Sequence, residues 1–326
     1  MGVAAAQASS GLKHGDSWLR KWVVAARVPF LPCGILPVVV GTAAAWRATG
    51  QLALAPALLA VLGIALIHAG VNLANDYFDH RSGTDVANRS ITPFSGGSRV
   101  IQQGVLSARA ILHASLFCFA TGSLCGIGLW LVTGSNALLA IGVFGVALGW
   151  CYTAPPLRLS HRGLGELAVW IGFALPVLGA ECVQRGTLSL QVSWLGFPAG
   201  ILVAACLVAN EFPDMAADGS VGKRTLVVRL GRRRAVLVYV LIEALLYGSV
   251  GVGVAAGWFP VLAAIVVLAA PLSWRAIRVL SAHYDDVPAL IPAMAATVAQ
   301  QAAFLLLLTA AFLADLAFHG MPPAGR

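Results

Sequence analysis

ALLAVLGIALIHAGVNLANDYFDHRSGTD, residues 57–85, runs from Ala57 to Ala74 without a charge and then presents Asn75, Asp76, Asp79 and Asp85. The first part is long and apolar enough to cross about 30 Å of hydrocarbon as a helix. The second part is a run of carboxylates that lipid would not tolerate without compensation. A membrane helix with a carboxylate cluster at one end is therefore the unit from which the rest of the chain is read.

The whole sequence repeats the apolar half of this pattern. Its 326 residues are 59% hydrophobic and only 10% charged, with mean hydropathy +0.85, which excludes an ordinary soluble domain. Nine uncharged or nearly uncharged apolar stretches lie near 28–46, 53–74, 110–133, 135–153, 164–184, 194–212, 235–256, 258–280 and 288–318. None has the alternating pattern of barrel strands, so the sequence predicts an all-α polytopic membrane protein with about nine spans. The predicted division is an N-terminal arm (1–27), a single transmembrane domain (28–318) and a short tail (319–326). The arm has no apolar core of its own and does not read as a cleaved signal peptide.

Nine spans place the N-terminal arm and the even-numbered loops on one side. All of the 21 Lys and Arg residues except Arg47, Arg185 and Arg326 fall there. By the positive-inside rule that side is cytoplasmic, and the C-terminus is predicted opposite. The net charge of +8 concentrates beside anionic headgroups and any anionic substrate, and nothing in the pattern points to nucleic acid. The six cysteines are scattered through the apolar stretches without a C-x-x-C pair, so metal-thiolate and disulfide readings get little support.

On a helix, Asn72, Asp76 and Asp79 at i, i+4 and i+7 share one face, while Asn75 turns toward a neighbour or its own cap. A matching stripe closes the sixth span. In NEFPDMAADGSVGKRT, residues 210–225, Asn210, Asp214 and Asp218 are spaced i, i+4 and i+8, and Pro213 and Gly219 are expected to kink or end the helix. Four intervening spans return the chain to the same side, so both stripes belong to one membrane face. Six of the 13 acids (Asp76, Asp79, Asp85, Glu211, Asp214, Asp218) lie in these two stretches. Carboxylates crowded this way call for a positive partner, and hard oxygen donors without His or Cys favour Mg²⁺. Ser95, Gly96, Gly97, Ser98 and Arg99 beside the first stripe, and Lys223 and Arg224 beside the second, supply donors for a diphosphate. Arg232, Arg233 and Arg234 read as topogenic, which competes with a site role for Lys223 and Arg224. His68 reads as a packed core histidine, and Glu166, Glu243 and Asp315 are left without a role.

The segments NLANDYFDHRSGTD (72–85), TPFSGGSRVIQQG (92–104), YTAPPLRLSHRGLGE (152–166) and FPDMAADGSVGKRTLVVRLG (212–231) resemble the UbiA superfamily of intramembrane prenyltransferases, and in particular its 1,4-dihydroxy-2-naphthoate prenyltransferase branch. The resemblance implies nine helices around a central cavity capped by cytoplasmic loops, two Mg²⁺ ions binding the diphosphate of a polyprenyl donor, and a small aromatic acceptor. By position it assigns catalysis and metal binding to Asp76, Asp79, Asp214 and Asp218. Substrate binding falls to Arg27, Asn72, Arg99, Tyr152, Arg158, Asn210, Lys223 and Arg224. The superfamily pattern places its third aspartate at position 83, where this chain has Gly83, and the acid comes at Asp85. Of the family's Tyr-x-x-x-Lys pair only Tyr152 is present; Pro156 replaces the lysine and Arg158 is the nearest base. Within that chemistry the competing readings are another aromatic acceptor or a terpene cyclisation. Outside it they are a cation transporter and an inactive scaffold.

Overall fold

The computed structural model describes Leu12 and residues 15–319, so most of the predicted N-terminal arm and nearly all of the C-terminal tail lie outside the described residues. Among the described residues there are helices and no strands. A short helix α1 (Trp18–Ala25) precedes α2 (Pro32–Thr49) and α3 (Leu54–Ser82), and a single turn, α4 (Thr84–Ala87), starts the loop that follows. Next come α5 (Ala108–Thr133), α6 (Asn136–Cys151), α7 (Gly165–Arg185) and α8 (Leu190–Ser220). A short α9 (Leu226–Leu230) leads into α10 (Arg232–Ala255), α11 (Ala270–His283) and α12 (Val287–His319).

Eight of the nine predicted spans become segments long and apolar enough to cross a membrane. The ninth, α6, is apolar but only 16 residues long, about 24 Å at 1.5 Å per residue. The predicted span 258–280 is wound in two parts, a 3₁₀ stretch Val261–Ala269 followed by α11. Of the two positions expected to kink or end this helix, Pro213 lies within it and the end comes next to Gly219: α8 continues through Pro198 and Pro213 and stops at Ser220. A proline inside a helix loses one backbone bond and crowds the preceding turn, and packing on all sides supports α8 against both effects.

The most buried span is α8, and it is the hub of the bundle. Gly196, Ala199, Gly200, Ala204, Ala205 and Ala209 make its surface small enough for neighbours to approach to backbone contact. At Gly200 a Cβ would stand 2.1 Å from the Trp170 carbonyl of α7, so only glycine fits. Leu195, Leu202, Phe304 and Phe312 lie in one apolar cluster and Val208, Phe212, Tyr239 and Met294 in another, so α8 shares both with α10 and α12.

The acids that the sequence left without a role turn out to be structural. Glu243 accepts from Gln300 Nε2 at 2.6 Å, which joins α10 to α12 inside the apolar core. Asp315 pairs with Arg47 Nε at 2.5 Å and ties the end of α12 to α2. Glu166 and Glu211 accept from the backbone N–H groups of Leu226 (2.8 Å) and Val227 (3.2 Å) and so cap α9 from two sides.

Gly200→Ala should force α7 and α8 apart at a cost of about 1–3 kcal/mol. The expected outcome is a clearly lower melting temperature in detergent, with no change for Gly126→Ala, whose added Cβ would meet nothing within 4 Å.

Candidate active site

The two carboxylate stripes face each other. Lys223 Nζ lies 3.8 Å from Asp79 on α3 and 3.3 Å from Asp218 at the end of α8, so one ammonium spans both stripes. Asn88, from the loop after α4, donates to Asp214 at 2.8 Å, a contact between residues 126 apart in sequence. Lys223 is carried on a tight turn in which its own N–H donates to the Asp218 carbonyl at 2.9 Å, so the turn delivers the lysine back over the stripe. Burial lowers the affinity of Lys223 for its proton, yet Asp79 and Asp218 outweigh this and hold the ammonium above its ordinary range.

On the α3 side, Asp76 is buried beneath Arg27 and Ser98, and both donate to it. Arg27 also donates to Asn75 Oδ1 at 3.2 Å, and Asn75 Nδ2 donates to Asp79 at 3.0 Å. Asn72 donates to the Ala26 carbonyl at 3.1 Å and thereby fixes the residue before Arg27. Burial opposes the charge of Arg27, but Asp76 more than restores it, and its proton affinity is raised. Asp85 accepts from Gln102 at 3.0 Å and packs against the backbone of the glycine loop. Burial, with Asp79 and Asp76 nearby, pushes its pKa well above the usual carboxylate range. Gly97 has φ +75°, and a Cβ there would stand 3.1 Å from Asp85 and 3.4 Å from Asp76, so the loop can lie on the carboxylates only as glycine.

These groups surround the head of a cavity of about 870 Å³. Arg27, Asn72, Asn75, Asp79, Asp85, Asn88, Asn210, Asp214, Asp218, Lys223 and Tyr152 line it, together with Ser95 to Gly97. Of the predicted metal carboxylates, Asp79, Asp214 and Asp218 reach the wall, whereas Asp76 sits behind it. Of the predicted substrate-binding residues, Arg27, Asn72, Tyr152, Asn210 and Lys223 line the cavity, and Arg99, Arg158 and Arg224 do not. Arg99 has φ +66° and donates to the Asp85 carbonyl, so it braces the loop. Arg224 is exposed, because it follows Lys223 on a turn that sends neighbouring side chains to opposite sides; its N–H donates to the His161 carbonyl at 3.1 Å. Arg158, at φ +45°, is exposed as well.

Asn75, expected to point elsewhere, is part of the site, and so is Asn88. His68 lines the cavity and packs edge-on against Phe173 at 5.2 Å, instead of sitting in a closed core.

The donor set is one for a hard cation. Every acid at the cavity head is an aspartate, and Asp79 Oδ1 and Asn210 Oδ1 are buried acceptors without a hydrogen-bond partner. Among the described residues no three His, Cys, Asp or Glu side chains already converge as a ligand group. The residues thus fit Mg²⁺ by donor type and by open oxygens. They do not form an all-protein cage, which is the way Mg²⁺ shared with phosphate oxygens is commonly held.

Residues 34–294 match the UbiA prenyltransferase family. A 1,4-dihydroxy-2-naphthoate octaprenyltransferase of Mycobacterium tuberculosis is 35% identical over 67% of this chain and 73% of its own length. The protein of the same description from Escherichia coli is 32% identical over 66% of this chain and 70% of its own. A solved UbiA homolog from Archaeoglobus fulgidus, bound to DMAPP and Mg²⁺, superposes with TM-score 0.66 at 15% identity, covering 91% of this chain and 99% of that one. At that identity the likeness speaks for the fold. Another structure of the homolog is bound to Cd²⁺. The match over most of the chain and the identity to the curated relatives establish that the chain belongs to the UbiA prenyltransferase family, as an integral membrane enzyme.

Proposed function

We propose that the chain transfers a polyprenyl group from polyprenyl diphosphate to 1,4-dihydroxy-2-naphthoate, releasing diphosphate and CO₂ and giving demethylmenaquinone in its quinol form. The observation that carries this reading is the pair of stripes on α3 and α8, bridged by Lys223 over the head of a cavity whose lower walls are apolar. The names of the relatives support the choice of donor and acceptor.

Two Mg²⁺ ions, when bound with the diphosphate, would supply Lewis-acid charge to the leaving group as its C–O bond breaks. Asp79, Asp214 and Asp218 would hold them, with the open oxygen of Asn210 beside them. Asp76 keeps Arg27 in place at the cavity wall. Lys223 exchanges part of its contact with Asp79 and Asp218 for the diphosphate, so the negative charge that accumulates there is met in a site of low dielectric. Ser95 to Ser98 cover the head as a loop in which the N–H groups of Ser95 and Ser98 donate to Thr92 and Asp76, and those of Gly96 and Gly97 are left to meet phosphate oxygens.

The allylic carbon left behind is a delocalised cation, and the walls beneath the head keep water from it. Trp150 and Phe173 line this region and offer aromatic rings to the cation. The electron-rich ring of the acceptor attacks the cation, and its carboxylate departs as CO₂ with the electron pair of the C–C bond returning to the ring. Arg27 is the guanidinium that lines the cavity and is the residue assigned to that carboxylate; Arg158 drops out because it is exposed. The basic side of the bundle, and with it this head, is assigned to the cytoplasm.

Asp79→Ala or Asp214→Ala should abolish Mg²⁺-dependent prenyl transfer while the purified protein keeps its helical circular dichroism; turnover at the wild-type rate in either variant overturns the assignment. EDTA should silence the wild type, and excess Mg²⁺ should restore it.

Lys223→Met should lower kcat/KM for the donor by about 10²–10³, the usual cost of removing one donor to a developing anion. Arg158→Ala and Arg224→Ala should stay within a few-fold of wild type in the same assay.

A further inference from the structure

One imidazole stands in the wall just below the carboxylate head. In IHAGVN, residues 67–72, His68 precedes Asn72 by one helical turn, about 6 Å along α3, and both line the cavity. A neutral imidazole has one N–H and one lone pair, and leaving either without a partner in an apolar wall is costly. The surroundings of the ring decide which of the two is open to a ligand.

The segment that enters α2 runs back along this part of α3. Asn72 reaches the Ala26 carbonyl at 3.1 Å, and one turn lower the His68 ring lies on Gly34. A Cβ at Gly34 would stand 3.0 Å from His68 Nδ1 and 3.6 Å from its Cγ, so glycine makes the seat for the ring. Nδ1 is buried on that side without a hydrogen-bond partner, and the Leu31 carbonyl, at the N-cap of α2, is the backbone acceptor facing the ring. A carbonyl on that side assigns the proton to Nδ1 and leaves Nε2 with its lone pair. Phe173 of α7 holds the ring edge-on at 5.2 Å, and Nε2 is the nitrogen left to the cavity. Arg27 stands at the upper end of the same wall, close enough for its charge to act on the His68 ring. It gives Nη2 to Asn75 and Asp76, and its Nε is buried without a partner, so the guanidinium keeps donors for a further anion. Phe30 and Phe94, set edge to face at 6.4 Å, line the same cavity. A cation for a carboxylate, a lone pair for a hydroxyl and aromatic walls fit a hydroxylated aromatic acid.

We infer that His68 holds and orients the acceptor ring, its Nε2 accepting from a ring hydroxyl while Arg27 takes the carboxylate. The inference rests on the proposed transfer to 1,4-dihydroxy-2-naphthoate and adds the residue that selects a hydroxylated acceptor. A hydroxyl that donates to a nitrogen lone pair leaves more electron density on its oxygen, and hence on the ring carbons ortho and para to it. A neutral imidazole does this without adding positive charge beside the allylic cation. A site built to hydrogen-bond a substrate hydroxyl also rejects an analogue that lacks it, which an apolar pocket does poorly.

The test uses the purified full chain with geranylgeranyl diphosphate, Mg²⁺ and 1,4-dihydroxy-2-naphthoate, and 2-naphthoate, which has the carboxylate but no hydroxyl, as a competitive inhibitor. The wild type should prefer the dihydroxy acid by about tenfold or more. His68→Phe keeps a ring against Phe173 and removes the lone pair. It should raise KM for the dihydroxy acid by about tenfold, equivalent to about 1.4 kcal/mol, and leave the inhibition constant of 2-naphthoate and KM for the donor unchanged. His68→Gln, whose amide oxygen reaches the place of Nε2, should recover most of the loss. Thermal stabilisation by a non-hydrolysable prenyl thiodiphosphate should be the same in all three proteins, which shows that the variants are folded and their heads intact. A wild type without preference for the hydroxylated acid, a His68→Phe enzyme with unchanged KM, or a loss confined to kcat or to the donor overturns the assignment of His68 and leaves the proposed function standing. A wild type that prenylates no hydroxynaphthoate overturns both.

Discussion

Carboxylate repulsion at a low-dielectric boundary is the constraint around which the molecule is organised. Each aspartate placed inside a membrane helix costs about 3 kcal/mol on insertion scales. Here Asp76, Asp79, Asp85, Asp214 and Asp218 meet around one space, and all but Asp214 are nearly out of reach of solvent. The chain answers with two cations of its own, Arg27 on Asp76 and Lys223 between Asp79 and Asp218. It also answers with amides: Asn75 on Asp79 and Asn88 on Asp214. Two acceptors, Asp79 Oδ1 and Asn210 Oδ1, are left over. An unpaired buried acceptor costs on the order of 1–3 kcal/mol, and these two stand where the cavity leaves room for a partner. Openings of this kind, at the head of the cavity, are what a polyanion and its metal would complete.

The same constraint explains why α8 is the hub. Its second half must bring Asp214 and Asp218 to within a lysine's reach of α3, so its first half has to be clasped tightly by α2, α7 and α12. Gly200 against Trp170 and the alanines around it provide that close approach. Helix α8 continues through Pro213, and its far end carries Asp214 and Asp218. Glu166 and Glu211 then hold α9 so that the turn carrying Lys223 has a fixed exit.

Much of this is legible in the sequence because it is periodic. Spans are read from length and apolarity, and parity puts both stripes on one face. The spacing from Asn72 to Asp79 and from Asn210 to Asp218 gives their orientation, and the family motifs agree with it. What the spacing does not carry is any contact made by a loop. Asn88 stands in an unremarkable polar segment, ANRSIT, and reaches Asp214 only because α4 and the glycine loop fold back over the head. Asn75 lies off the acidic stripe by helical angle, yet Arg27 approaches from the side and makes it part of the network. For the basic residues the error runs the other way: Arg99, Arg158 and Arg224 have the charge a diphosphate needs, but a left-handed backbone or a tight turn directs each elsewhere. Charge is a property of composition, whereas direction is a property of the backbone, and a single sequence reports the first far better than the second.

Separation of the two ends of the cavity is the remaining physical requirement. Ionisation needs a strong field at the phosphate and a dry, weakly polar space one bond away, and in water these demands conflict because solvent that hydrates the anion also captures the cation. The membrane resolves the conflict by geometry. Polar groups are confined to the loop-covered head, where each helix ends and its backbone can exchange helix bonds for caps and turns. Below that level α3, α5, α6 and α7 contribute almost only apolar side chains and glycine to the wall, with His68 and Ser123 as exceptions. A hydrophobic substrate can then keep its tail in an environment equivalent to the lipid it came from, so that entry of the tail costs little. Donor binding energy is available at the head, where the bond breaks, and this is the condition under which binding accelerates a reaction instead of merely saturating the site.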